Sequence, residues 1–143
     1  MQLNIQDQIQ KYIDSIPDPK RAEIEQLHHR ILQLLPNAQL WFLDGKDEKG
    51  KVVSNPNIGY GNQIIKYADG KTKEFFQIGI SANTKGISVY IMGIADRKYL
   101  PDNYAKTIGK ASVTGYCINF KTLKDIHMEV IDKAILDGVT LTK

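Results

Sequence analysis

The stretch FQIGISANTKGISVYI, residues 76–91, decides the fold. Phe76, Ile78, Ile80 and Ala82 alternate with polar or small residues, the period of a strand with one buried face. Asn83-Thr84-Lys85-Gly86 is a short turn ending in glycine. Ile87, Val89 and Ile91 then alternate on a return strand. Strands joined by so short a connection pair antiparallel, so residues 76–91 predict a hairpin inside an antiparallel sheet.

Reading outward, the pattern upstream predicts short strands at Leu40–Leu43 and at Ile64–Tyr67, the second ending in the Asp69-Gly70 turn. Between them, Asp44–Lys51 carries six charged residues and two glycines and reads as an exposed loop. Downstream, residues 101–108 predict a short helix with Gly109 just past its end, and Cys117–Phe120 a last strand. Thr122 is placed to cap a final helix whose stripe is Leu123, Ile126, Val130, Ala134 and Ile135, with Gly138 closing it. At the other end, Ile5, Ile9, Tyr12, Ile13 and Ile16 share helical spacing up to Pro17. Asp18 and Pro19 then suit the cap and first position of a second helix with Ile24, Leu27, Ile31, Leu34 and Leu35 as its stripe. The expectation is an α+β fold in one domain over residues 1–143: an antiparallel meander packed against N-terminal and C-terminal helices as a two-layer sandwich.

Composition bounds the function. A chain of 143 residues with 42% hydrophobic and 24% charged residues is ordinary for one globular domain. The single cysteine, Cys117, excludes an internal disulfide framework. The first ten residues lack a basic start followed by an apolar run, and no apolar run reaches membrane-spanning length. These features lead to the expectation of a cytoplasmic protein with no membrane partner. Net charge is +3, and residues 66–110 hold eight basic against four acidic side chains. That excess can attract anions but is well short of the clustered cations of nucleic-acid binders.

The motifs are weak. GKDEKGKV, residues 45–52, nearly matches a phosphate-cradling loop, but Val52 has no hydroxyl for magnesium and no helix follows. Gly59-Tyr60-Gly61 lacks the third glycine of a dinucleotide fingerprint and leads into a strand. Glu25 and His29 share a helix face but supply only two ligands. Asp125, Glu129 and Asp132, at spacings of four and three, form a carboxylate ridge that could hold a hard cation or iron. Against it, Lys121 and Lys133 stand at ion-pairing distance along the helix. Cys117 as a nucleophile would need a base, and His127 is ten residues away. No other catalytic signature is present, which favours a binding or accessory role over an enzyme.

Three blocks carry a family resemblance. Asn55-Pro56-Asn57-Ile58-Gly59-Tyr60-Gly61 followed by Tyr67-Ala68-Asp69-Gly70 resembles the P-x-I-x-G-[YF]-G … Y-x-S-G block of the YdhG-like family, a domain of unknown function. Ile87 to Gly93 resembles its L-T-L-Y-L-M strand. Gly109-Lys110, Gly115, Cys117-Ile118, Leu123 and Asp125-Ile126 are similar to its closing block. The resemblance implies helices on an antiparallel sheet. Through a member group described as frataxin-like iron chaperones, it also implies iron as a ligand.

Glycines and tyrosines cluster in two loops, Asn55–Gly61 and Gly109–Gly115, beyond what turns alone require. The expected ligand cleft lies between them and draws on Tyr60, Gly61, Tyr90, Gly109, Lys110, Gly115 and Cys117. The expected role is a small binding or accessory protein for a small molecule or a protein partner, a second copy of the chain included. Iron handling through Asp125, Glu129 and Asp132 is the alternative, and an enzyme using Cys117 or a tyrosine the second.

Overall fold

A computed structural model describes residues 4–142 of the chain. The hairpin forms, β5 (Ile78–Asn83) pairing antiparallel with β6 (Gly86–Ile91), Ile80 opposite Val89 and Ala82 opposite Ile87, but Phe76, expected on the same face as Ile78 and Ile80, precedes the strand and lies across the other face, on Gly59 and Gly79. Around it a six-stranded antiparallel sheet runs β1-β2-β5-β6-β8-β7. Its other strands are β1 (Leu40–Leu43), β2 (Asn57–Tyr60), β7 (Ser112–Val113) and β8 (Cys117–Phe120). The meander is interrupted once. β3 (Gln63–Lys66) and β4 (Thr72–Phe75) leave the sheet as a separate two-stranded hairpin.

Register makes one face apolar throughout. Ile58, Ile80, Val89 and Ile118 stand in one row across four strands, and Tyr60, Ile78 and Ile91 in another. All seven are fully buried. They pack under α1 (Ile5–Ser15), α2 (Lys20–Leu34), α3 (Tyr99–Tyr104) and α4 (Met128–Leu141), whose stripes, Ile9 and Ile13, Ile24, Leu27 and Ile31, Leu100, and Ile131 and Ile135, complete a single core. Each fully buried aliphatic side chain there stabilises the fold by about 1.5–3 kcal/mol. The structure is therefore the α+β arrangement expected, a helical layer on one face of an antiparallel sheet.

Differences from the expected elements have physical reasons. β2, read as a glycine-rich loop, becomes a strand because it pairs on both sides, with β1 and β5. β4 has no apolar alternation, being TKEF, and is held by pairing with β3. The third helix sits at Tyr99–Tyr104, earlier than expected. The last helix begins at Met128, since residues 123–125 form only a 3-10 turn and the next two are extended. That break occurs because the backbone N–H groups of Lys110 and His127 donate to Asp125 and Ile108 carbonyls, at 2.8 Å each. The start of the 3-10 turn is held by Glu23 of α2, whose carboxylate accepts the Leu123 N–H at 2.7 Å. At the front of α2, Asp18 makes no cap; it pairs with Arg21 instead.

The opposite face of the sheet is built on small residues. Gly59 and Gly79 are register partners there, and Phe76 lies across both. A Cβ at either position would come within 2.6 Å (Gly59) or 2.7 Å (Gly79) of the Phe76 ring. Phe75 stacks on Phe76 at 4.1 Å, and Trp41 meets Phe75 edge-on. Gly79→Ala is accordingly expected to lower stability by about 1–3 kcal/mol through overpacking. In a Phe76→Leu background, where the ring is gone, denaturant titration should show a clearly smaller cost for the same substitution.

Candidate functional site

The face turned away from the helices carries a second row, polar across five strands, in which Ser81 and Ser88 are buried and Asn119 is half-buried. Ser81 faces Ser88, Ser88 faces Asn119, and Asn119 faces Ser112. One step beyond the Ile58–Ile80 pair, Asn57 extends the row onto β2. Its centre is hydrogen-bonded through Ser88 and Asn119. Asn83 Nδ2 donates to Ser88 Oγ at 2.9 Å, and Ser88 Oγ donates to Asn119 Oδ1 at 2.5 Å. Cys117 Sγ also donates to Asn119 Oδ1, at 3.4 Å. Ser81 Oγ donates to the Pro56 carbonyl at 2.6 Å. With its oxygen accepting two donors, the Asn119 amide is turned so that its NH₂ makes no hydrogen bond among the described residues.

At the β5–β6 turn this row opens into a cleft of about 690 Å³. Its walls come from Asn55, from the turn residues Asn83–Lys85, from Lys110–Ser112, and from Asn119 and Lys121. The turn is braced by Asn83 Oδ1, which accepts the N–H groups of Lys85 and Gly86, at 3.0 and 2.9 Å. Lys20 of α2 donates to the Asn83 carbonyl from behind. Gly86 lets the turn approach the end of β8: a Cβ there would sit 2.2 Å from the Phe120 carbonyl oxygen. That contact brings Lys85 and Lys121 to one rim. Three lysines, Lys85, Lys110 and Lys121, line the cleft, and its walls include no carboxylate. Among the described residues none of the three makes an ion pair.

The residues expected in the cleft are divided. Lys110 lines it. Gly109 lies beside it, bridged to Ile126. Tyr90 and Cys117 are register partners on the open face, in the row next to the polar one. Tyr60 is fully buried on the covered face, in the core against α2. Gly61 follows Tyr60 at the far end of β2, where its carbonyl accepts the Trp41 indole N–H at 2.7 Å. Gly115 packs against the backbone of Arg97. Of the two glycine loops, Asn55 and Lys110–Ser112 line the same cleft, while Asn57–Tyr60 continues as strand β2 and does not line it.

Cys117 is buried, and burial pushes its thiol up, with hydrogen bonding to Ser88 and Asn119 acting the other way. A raised thiol is the opposite of an activated nucleophile. The carboxylate ridge does not form on one helix face: Asp125 ends the 3-10 turn, and Glu129 and Asp132 lie on α4. Asp132 takes the Arg30 guanidinium in a two-bond fork at 2.7 Å each, tying α4 to α2. Lys121, expected to pair with Asp125, lines the cleft. Among the described residues, no group of three His, Cys, Asp or Glu side chains is placed to hold a metal ion, so the iron expectation gains no built site.

Sequence reasoning passed over Asn83, Lys85, Ser88, Ser112, Asn119 and Lys121. The signal was present in the alternation: ISAN, ISVY and CINF each put Ser or Asn at the outward position. No helix among the described residues is long and apolar enough to cross a membrane. No family model, curated protein or solved structure matches the chain.

Behind the sheet, buried Tyr60 meets half-buried His28, the hydroxyl 2.5 Å from Nδ1. Burial, with His29 alongside, lowers His28 to about 4 from 6.5. The unfolded chain therefore takes up this proton at higher pH than the folded one. Its contribution to stability is complete above pH 6.5 and is lost as pH falls toward 4. The slope in that window is at most about 1.4 kcal/mol per pH unit. Urea melts at pH 7, 5.5 and 4.5 should show this loss, and His28→Asn should flatten it relative to the parent protein. Cys117 should react with iodoacetamide at pH 7 far more slowly than a free thiol, and unfolding in urea should remove the difference.

Proposed function

We propose that this protein is a small binding module whose ligand sits in the cleft at the β5–β6 end of the open sheet face. The observation that carries this reading is the cleft itself, lined by Asn55, by Lys110–Ser112 and by Asn119 of the polar row. Its volume of about 690 Å³ is that of a small-molecule site, since such sites span roughly 300–1,000 Å³. The floor is preorganised: the Asn119 amide is oriented by two donors before any ligand arrives, which limits the entropy lost on binding. Sheet and core hold the floor while short loops supply the walls, the usual division between scaffold and site. The resemblance to the YdhG-like family supports the helix-on-sheet scaffold, and the ligand is argued from the cleft alone.

The test is amide chemical-shift mapping of the labelled protein against a metabolite panel. The expected result is a shift set confined to residues 83–86, 110–112 and 119–121. Ser112→Trp, on the exposed edge strand β7, should fill the cleft and weaken any such binding by about tenfold or more, a loss of ~1.4 kcal/mol. Shifts that fall elsewhere, or ligand affinity untouched by Ser112→Trp, would remove this reading.

A further inference from the structure

The chemistry of the cleft walls narrows the ligand to one class. We propose that the cleft takes a small phosphate ester with a hydroxylated body, an assignment that rests on the binding-module reading above. Three exposed lysines line a cavity whose walls contain no carboxylate, and among the described residues none of them is ion-paired. Lined by one sign of charge, a cleft draws in counter-ions and is relieved of its own repulsion when one binds. The cations are all lysines; no arginine lines the space. Arginine's fork binds carboxylate and phosphate alike, while lysine holds phosphate oxygens as a point charge, so an all-lysine rim is compatible with a phosphate dianion.

The floor adds neutral donors. Asn119 presents an amide NH₂ whose orientation is set by Ser88 and Cys117 at its oxygen. Ser112 and Thr84 add hydroxyls at the walls. Such groups serve a phosphate oxygen or a ligand hydroxyl equally well. The cavity is several times larger than a bare phosphate needs, and Asn55, Asn83 and Thr84 line the remaining space with polar groups. Phe120 is the one aromatic residue of the lining. It is 5% exposed and packed into the core beneath the helices, so it offers no platform for base stacking. The balance therefore favours a sugar-phosphate type of ligand over a nucleic-acid strand.

The test uses the full-length protein with four probes: inorganic phosphate, ribose 5-phosphate, ribose and a short oligothymidylate. Amide shift mapping is the readout, with affinity followed at low and high sodium chloride. Ribose 5-phosphate is expected to shift residues 84–86, 110–112 and 119–121 and to bind more tightly than inorganic phosphate. Ribose should leave these residues unmoved. Binding should weaken as salt rises. Lys110→Gln and Lys121→Gln should each reduce affinity about three- to tenfold, and Asn119→Asp, nearly isosteric but anionic, by about tenfold or more. Thermal melts of each variant, unchanged within a few degrees, separate lost binding from lost fold. If ribose alone shifts the same residues as strongly, the phosphate assignment falls while the cleft reading stands. If only the oligothymidylate binds there, the small-ester assignment falls in favour of a strand. If no probe shifts the cleft, or phosphate binds away from it, this assignment falls; the wider metabolite panel then decides the cleft reading by itself.

Discussion

The ring of Phe76 across Gly59 and Gly79 is the contact on which the arrangement of the open face depends. A sheet covered by helices on one side must still decide what becomes of the other. Here two register-paired glycines clear a trough, and one aromatic side chain, 3% exposed, fills it. Phe76 immediately follows Phe75 at the end of β4, so the same contact ties down the β3–β4 hairpin that leaves the sheet. Gln63 of that hairpin donates to the Phe76 and Met92 carbonyls, at 3.1 and 2.9 Å. Gln77 bonds Thr142 on the other side at 2.9 Å. The aromatic end of the open face is thereby closed and anchored.

Closure at one end leaves the other end free for polar chemistry. Beyond the Tyr90–Cys117 pair, the outward positions become Ser81, Ser88, Asn119 and Ser112, and the walls become loops bearing lysines. Apolar filling and open polar cleft are successive rows of one sheet, two residues apart along each strand. The division is inexpensive in fold terms, because outward positions of a one-sided sheet do not build the core. It also places the His28–Tyr60 pair and the cleft on opposite faces of the sheet.

Much of this was readable from alternation alone. The β5–β6 hairpin, β1, β8 and the first two helices follow from apolar periods that the structure reproduces within a few residues. The elements that were misread are those whose local pattern is silent or contrary. Asn57-Ile58-Gly59-Tyr60 contains a glycine that weakens an isolated strand, yet two neighbouring strands hold it extended. Leu123 and Ile126 fit a helical stripe, yet the segment is recruited by Ile108–Lys110 into backbone pairing, and the helix starts five residues after Leu123. Of the residues expected in the cleft, Lys110 lines it and Gly109 borders it. Tyr60 and Gly61 could not be placed without knowing that β2 is a strand, because strand geometry sends Tyr60 to the covered face.

By itself, the sequence determined the class of fold and the identity of the buried face, since a two-residue period and a helical period each specify which side chains must leave water. It also determined the chemistry available: many lysines, one cysteine and outward serines and asparagines. Only the tertiary structure decided which of these meet. Lys85, Lys110 and Lys121 are up to 36 positions apart in the chain. They share a cleft because antiparallel register and the close approach permitted by Gly86 bring the β5–β6 turn, the segment before β7 and the end of β8 together. Local patterns specify faces; long-range pairing specifies neighbours, and a site is a set of neighbours.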